Sequence, residues 1–150
     1  MKWLTKYKES FTMSTRSNIA IQKEDGTVDA IYCHSDGYLS HVGKILFENY
    51  QDNETIKSLV ALGSFSSIDE KIEGIENLYD EEPVTYNNEY CLVYDSEPLF
   101  IEYLYLWKNG EWFVSYSRSV DTKDSYLISA CFRSKFYPLA IELSKQKKSA

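Results

Sequence analysis

The side chains best suited to chemistry lie between residues 16 and 38 of this 150-residue chain. They combine a guanidinium, an amide, phenols, an imidazole and a carboxylate: Arg16, Asn18, Tyr32, His34, Asp36 and Tyr38. A guanidinium beside such hydrogen-bonding groups can hold a phosphate or a carboxylate. With His34 as acid or base, the same side chains could assist the hydrolysis of a phosphoester.

A predicted β-hairpin places these side chains. Residues 17–23 and 27–34 alternate as strands do, and Gly26 can supply the left-handed residue of a three-residue turn. In that register Ser17 faces Cys33. One face is then predicted to be core and holds Ile19, Ile21, Ile31 and Cys33. The opposite face carries Arg16, Asn18, Tyr32 and His34, with the small Ala20 and Ala30 beside them.

Cys33 and His34 are the residue types of a nucleophile and its base. Adjacent strand residues point to opposite faces, however, so these two side chains cannot readily hydrogen-bond to each other. A cysteine on a core face behaves as a small inert apolar group. We therefore predict no catalytic residue and interpret the Arg16–His34 face as a recognition surface. The alternative, in which these side chains bond to one another and pin the turn, stays open.

The sequence offers little for a metal, a cofactor or a disulfide. Its three cysteines are widely separated, and only two histidines are present. It contains no phosphate-binding glycine loop and no metalloprotease motif. Nor does it contain an apolar run near the roughly 20 residues that span a bilayer, or a secretory leader. We predict a cytoplasmic protein with no cofactor, no metal and no membrane contact.

Acidic residues are concentrated in the middle of the chain. Thirteen of them lie between Asp52 and Glu102, against two lysines, whereas the C-terminal tail is basic. Such a surface repels phosphates, which argues against direct binding of nucleic acid. A solvated surface is the simpler interpretation. The other is a surface that competes with nucleic acid for a basic protein, with Asp80, Glu81 and Glu82 as candidate contacts.

Helical and strand patterns alternate along the remainder of the chain. Helices are expected at 2–12, 39–50, 52–63, 67–78, 126–132 and from Pro138 onwards. The expected N-terminal caps are Ser40, then Asp52 or Asn53, and Ser67 paired with Glu70; Gly63 is expected to end the helix at 52–63. Strands are expected at 90–94, 99–107 and 112–117, the last two joined across Asn109-Gly110.

The pattern contains no linker or repeat, so we predict one domain spanning residues 1–150. Its fold class is α+β, with a mostly antiparallel sheet and helices packed on one side. Residues 1–12 are expected to be a basic, helical N-terminal extension, because Met13 offers an alternative start.

Several short strings occur in the order found in a family of small phage and prophage proteins. They are MSTRSNIAI at 13–21, DGT at 25–27, AIYCHSDGY at 30–38, LVALGSFSSI at 59–68 and EYLYLW at 102–107. The chain resembles this family from residue 13 to residue 113, with Ser35 where the family usually has tryptophan. The resemblance implies a phage accessory gene, a class that often acts on host defence or host metabolism, and it supplies no catalytic residues.

Together these features predict a phage or prophage accessory protein that binds and inhibits a host factor, above all a bacterial defence system of the CRISPR or restriction type. Its acidic segment would meet a basic, nucleic-acid-handling surface. The alternative is a nucleotide- or phosphate-binding protein, or a hydrolase, that uses the Arg16–His34 face. A third hypothesis is a homo-oligomer that docks through residues 1–12.

Overall fold

The elements below come from a computed structural model that describes residues 15–96, 101–116 and 136–149, with side chains described as far as residue 146. The strands are β1 (Ser17–Gln22), β2 (Val28–Cys33), β3 (Val84–Tyr86), β4 (Tyr103–Lys108), β5 (Glu111–Tyr116) and β6 (Tyr137–Pro138). The helices are α1 (Lys44–Asn49), α2 (Asn53–Ala61), α3 (Glu89–Ser96) and α4 (Leu139–Ser149). A π-helical turn, Leu39–Gly43, leads into α1.

The strands form one sheet in the order β3-β2-β1-β4-β5-β6. Neighbouring strands are antiparallel except for β1 and β4, which run parallel. A mostly antiparallel sheet combined with helices confirms the predicted α+β class. Within the described ranges, no helix is long and apolar enough to cross a membrane.

The first hairpin has the predicted register. Ser17 pairs with Cys33 and Ile19 with Ile31. Gly26 has a φ of +88°, the left-handed conformation that the turn needs. The predicted core face is also confirmed, since the main hydrophobic core includes Ile19, Ile21, Ile31 and Cys33.

Both faces of the sheet are covered. The main core lies against α1, α2 and α4, which contribute the buried side chains of Leu46, Ile56 and Leu139. Three of the four helices therefore pack on one side of the sheet, as predicted, whereas α3 covers the other side. This second, smaller core comprises Ala20, Val28, Ala30, Tyr32, Leu92, Val93, Ile101, Leu104 and Leu106.

The strand predicted at 90–94 is wrong, because these residues lie in α3. Leu92, Val93 and Ser96 are buried together on one side of the helix. At its start, the Asn88 side-chain oxygen, Oδ1, accepts a hydrogen bond from the Cys91 N–H at 3.0 Å. A short apolar run does not distinguish a strand from a buried helix by its period alone.

The helix predicted at 67–78 is also wrong, since only a 3₁₀ turn, Ile72–Gly74, forms there. The Asp69 carboxylate accepts a hydrogen bond from the Lys71 N–H at 3.1 Å. Such a local bond competes with helical hydrogen bonding, and Gly74 weakens helix formation further. The expected capping pair at the start of this helix therefore has no helix to cap.

Two of the predicted helix boundaries are confirmed and one is wrong. Asp52 accepts a hydrogen bond from the Thr55 N–H at 2.8 Å and so caps α2. Gly63 follows the end of α2 with a φ of +79°, as the C-terminal signal requires. Ser40 does not cap the first helix, because the helical turn already begins at Leu39 without a side-chain cap.

The late hairpin turns at the predicted residues. Asn109 and Gly110 have φ values of +53° and +76°, which matches the turn favoured by an Asn-Gly pair. The expected helix at 126–132 and the extension at 1–12 lie outside the described residues.

Candidate functional site

The four side chains predicted to share a face do share it, but that face is covered. Arg16 is 2% exposed, Asn18 is 5% exposed and Tyr32 is 1% exposed, whereas His34 is half-buried. The cover is α3, which lies over the end of the first hairpin. Sequence reasoning missed the burial because it assigned residues 90–94 to the sheet instead of to a helix lying on it.

The buried side chains are bonded within the protein. The Asn18 amide nitrogen donates to the Ser96 hydroxyl at 2.9 Å, and the Tyr32 hydroxyl is hydrogen-bonded to His34 Nδ1 at 2.5 Å. Burial raises the pKa of Tyr32 well above its ordinary value, and the nearby Arg16 guanidinium opposes that shift only in part. The phenol therefore keeps its proton at neutral pH. These contacts tie β1 to α3 and tie Tyr32 to the residue that follows β2, and among the described residues the Asn18 side-chain oxygen has no hydrogen-bond partner.

The remaining two predicted residues, Asp36 and Tyr38, are exposed in the turn that follows β2. The Tyr38 hydroxyl donates to the Asp36 carboxylate at 3.4 Å. Together with the half-buried His34 they form an accessible rim beside the buried cluster. A partner molecule can touch this rim without unfolding any element.

Tyr79 is a member of the cluster that sequence reasoning did not find. Its ring stacks on Tyr32 at 6.4 Å between centroids and meets His34 edge-on at 6.4 Å. The contact joins residues far apart in sequence, and no local pattern signals it. This contact also helps to set the position of the acidic run Asp80–Glu82, because the run directly follows Tyr79.

Backbone hydrogen bonds hold the acidic run in place. The Tyr79 N–H donates to the Ser64 carbonyl oxygen at 3.0 Å, and the Ser64 N–H donates to the Glu81 carbonyl oxygen at 3.1 Å. Asp80 and Glu82 are exposed and Glu81 is half-buried. These hydrogen bonds hold the run at a defined place on the surface, beside Gly63 at the end of α2.

The whole acidic segment faces solvent. None of the twelve acidic residues that the structure describes between Asp52 and Glu102 is buried; Glu97 lies outside the described residues. Salt bridges join Glu54 to Lys57 at 3.7 Å and Glu89 to Lys108 at 3.1 Å. The first pair is exposed and the second half-buried, and two ion pairs neutralise little of the charge of so many carboxylates.

Cys33 lies in the core and not in a reactive site. It is 0% exposed, and its sulfur is 3.6 Å from the Ser35 carbonyl oxygen and 3.8 Å from that of Ser66. Burial raises the pKa of the Cys33 thiol to about 12. The thiolate that a nucleophile needs is therefore absent at neutral pH.

Alkaline pH is expected to destabilise the fold through such buried acids. The Cys33 thiol titrates near 9 when unperturbed but at about 12 in the fold. Between these values the unfolded chain binds fewer protons than the folded one, so the free energy of unfolding falls as pH rises, by about 1 kcal/mol per pH unit for this group. Urea titrations across this range measure the slope. Cys33→Ala should reduce it, and an unchanged slope in that variant would contradict the assignment.

Surface grooves lined by described residues include ones with volumes of about 480, 390 and 440 Å³. These grooves use side chains other than the Arg16–His34 face. The groove of about 480 Å³ lies between α1 and α4, where Phe47 and Leu143 line it. Among the residues that the structure describes, no group of three or more histidines, cysteines and carboxylates could hold a metal ion.

The fold and the site define an α+β protein that presents a fixed acidic surface beside a buried aromatic cluster. Comparison with known proteins finds no matching family model, no matching curated protein and no matching solved structure. Its function is therefore inferred from the chemistry of its surface.

Proposed function

We propose that this chain is a phage or prophage accessory protein that binds a basic surface of a host protein and inhibits it, the target being a defence system of the CRISPR or restriction type. The observation that carries the proposal is the solvent exposure of the acidic segment, in which no described carboxylate from Asp52 to Glu102 is buried. The sequence resemblance to phage proteins supports the phage origin.

Proteins that handle nucleic acid present lysines and arginines to phosphates, and this contact contributes a large share of their binding. A surface of carboxylates offers the same charge to the same side chains and so competes with the nucleic acid. It also speeds the encounter of the two proteins, because opposite fields steer them together.

Charge alone does not supply high affinity, because a single exposed ion pair contributes only about 0–1 kcal/mol. Apolar contacts must add to it. Leu78 and Val84 flank the acidic run and are 49% and 39% exposed. The rim formed by His34, Asp36 and Tyr38 extends the contact surface past the Tyr79 cluster.

Phage plating tests the proposal. Expression of the wild-type protein in bacteria that carry a CRISPR or a restriction system should raise the plating efficiency of a targeted phage. The variant Asp80→Asn, Glu81→Gln, Glu82→Gln neutralises the acidic run and should abolish the effect, since it removes three adjacent carboxylates. If the wild-type protein leaves plating unchanged across strains of both types, the proposal is wrong.

A charge-matched variant controls for net charge. It removes three exposed carboxylates outside the acidic segment, at Glu24, Glu48 and Glu111. With glutamine at these positions the protein should still raise plating efficiency as the wild type does. An equal loss in both triple variants would mean that total charge, and not the acidic run, is responsible.

A further inference from the structure

β3 forms one edge of the described sheet. It stands first in the strand order and pairs with β2, through Val84 with Ala30 and Tyr86 with Val28. Val84 and Thr85 are exposed. An edge strand presents N–H and C=O groups on its outer side, and these can pair with a strand of another chain.

Side chains hold β3 in an extended conformation although it has only three residues. The Thr85 hydroxyl donates to the Asp29 carboxylate at 2.6 Å, and the Tyr86 hydroxyl donates to the Asp95 carboxylate at 2.8 Å. Both bonds tie the strand to neighbouring elements, β2 and α3. Because the strand is already ordered, a partner that pairs with it has little conformational entropy to remove.

Carboxylates stand at both ends of this edge. Asp80, Glu81 and Glu82 precede the strand, and the exposed Asp95 lies beside its last residue. The exposed Val84 between them offers an apolar contact. An edge of this composition favours a strand in which basic residues alternate with β-branched apolar ones. A second copy of the chain is disfavoured, because its net charge is also negative, at −7.

We infer that β3 takes up an extended, basic segment of the partner protein as an added strand. This inference rests on the proposed function and names the part of the partner that it engages. The main-chain pairing supplies direction and affinity, whereas the carboxylates at the two ends select for lysine or arginine.

A synthetic peptide of alternating lysine and valine, capped at both ends, is the probe. Its binding to the full chain is measured by fluorescence anisotropy, and amide hydrogen exchange reports where it binds. Exchange at residues 84–86 should slow by about tenfold or more when the peptide binds. No binding, or binding without added protection at these residues, would overturn the inference.

Two substitutions at one position sharpen the test. Val84→Lys places a positive charge on the edge and should weaken peptide binding by about tenfold or more, since lysine is a natural guard of edge strands. Val84→Thr keeps the β-branched shape without charge and should bind within a factor of about two of the wild type. Equal binding by the two variants would contradict strand addition.

The plating assay separates failure of this inference from failure of the proposed function. If the acidic run is required for plating but Val84→Lys behaves as the wild type does, strand addition is wrong and the proposed function stands. If the wild-type protein does not raise plating, the proposed function is wrong whatever the peptide does.

Discussion

Replacing Gly63 with alanine is expected to lower the free energy of unfolding by about 3 kcal/mol or more. Gly63 has a φ of +79°, and a Cβ atom there would lie 2.0 Å from the Glu81 carbonyl oxygen and 3.0 Å from its carbon. Both atoms belong to the backbone, so no side-chain rotation relieves the clash. The 81–82 backbone must move away, and the hydrogen bond from the Ser64 N–H to Glu81 breaks with it. Equilibrium unfolding in urea measures the loss.

Gly26→Ala is the matched control. Gly26 has a similar φ, +88°, but a Cβ atom there would meet no atom within 4 Å. The left-handed conformation alone costs alanine about 1 kcal/mol. The difference between the two variants therefore isolates the close approach of the acidic run to the end of α2. Equal destabilisation by both would show that the run is not held against Gly63.

The effect of Gly63→Ala should also be seen locally. Amide hydrogen exchange at Ser64 and Tyr79 should speed up in this variant. The Ser64 N–H donates to the Glu81 carbonyl oxygen and the Tyr79 N–H to that of Ser64, and the clash is expected to weaken both hydrogen bonds. Exchange in β1, on the other hand, should follow only the change in global stability. A backbone contact thus holds the acidic run in place, and one added methyl group at Gly63 is expected to disrupt it.

The parts of the fold that the sequence predicted are those set by local chemistry. The first hairpin follows from alternating apolar residues and from Gly26, and its register places Ser17 opposite Cys33 as expected. The end of α2 follows from Gly63 in the same way. A turn or cap is decided by a few neighbouring residues, which the sequence shows directly.

The covered face was not predictable in this way. Whether Arg16 and Asn18 face solvent depends on α3, which lies more than 70 residues further along the chain; Asn18 and Ser96, which hydrogen-bond, are 78 positions apart. The apolar run in α3 suits a strand as well as a helix. The position of Tyr79 also depends on a contact distant in sequence, since the neighbouring Leu78 forms an antiparallel β-bridge with Phe65. Tertiary packing, and not local preference, decides these features.

Because of this packing, the candidate site differs from the one that the sequence indicated. Arg16, Asn18 and Tyr32 are buried, whereas His34 is half-buried beside them. In the proposed function the acidic run carries the recognition chemistry, and the sequence had left open whether this exposed surface is merely solvated or binds a basic protein. In the proposed mode of action, electrostatic attraction steers the partner from a distance, and apolar contacts add affinity once the two proteins touch.

The salt dependence of association tests that mode most directly. The defence protein implicated by plating is purified, and its association with the wild-type chain is followed from about 0.05 M to about 0.5 M NaCl, over which the Debye length shrinks from about 14 Å to about 4 Å. We expect the association rate constant to fall on the order of 100-fold while the dissociation rate changes little, because steering is screened and short-range contacts are not. The variant with a neutralised acidic run should associate slowly at every salt concentration. An association rate that stays constant across this range would contradict binding through the acidic surface.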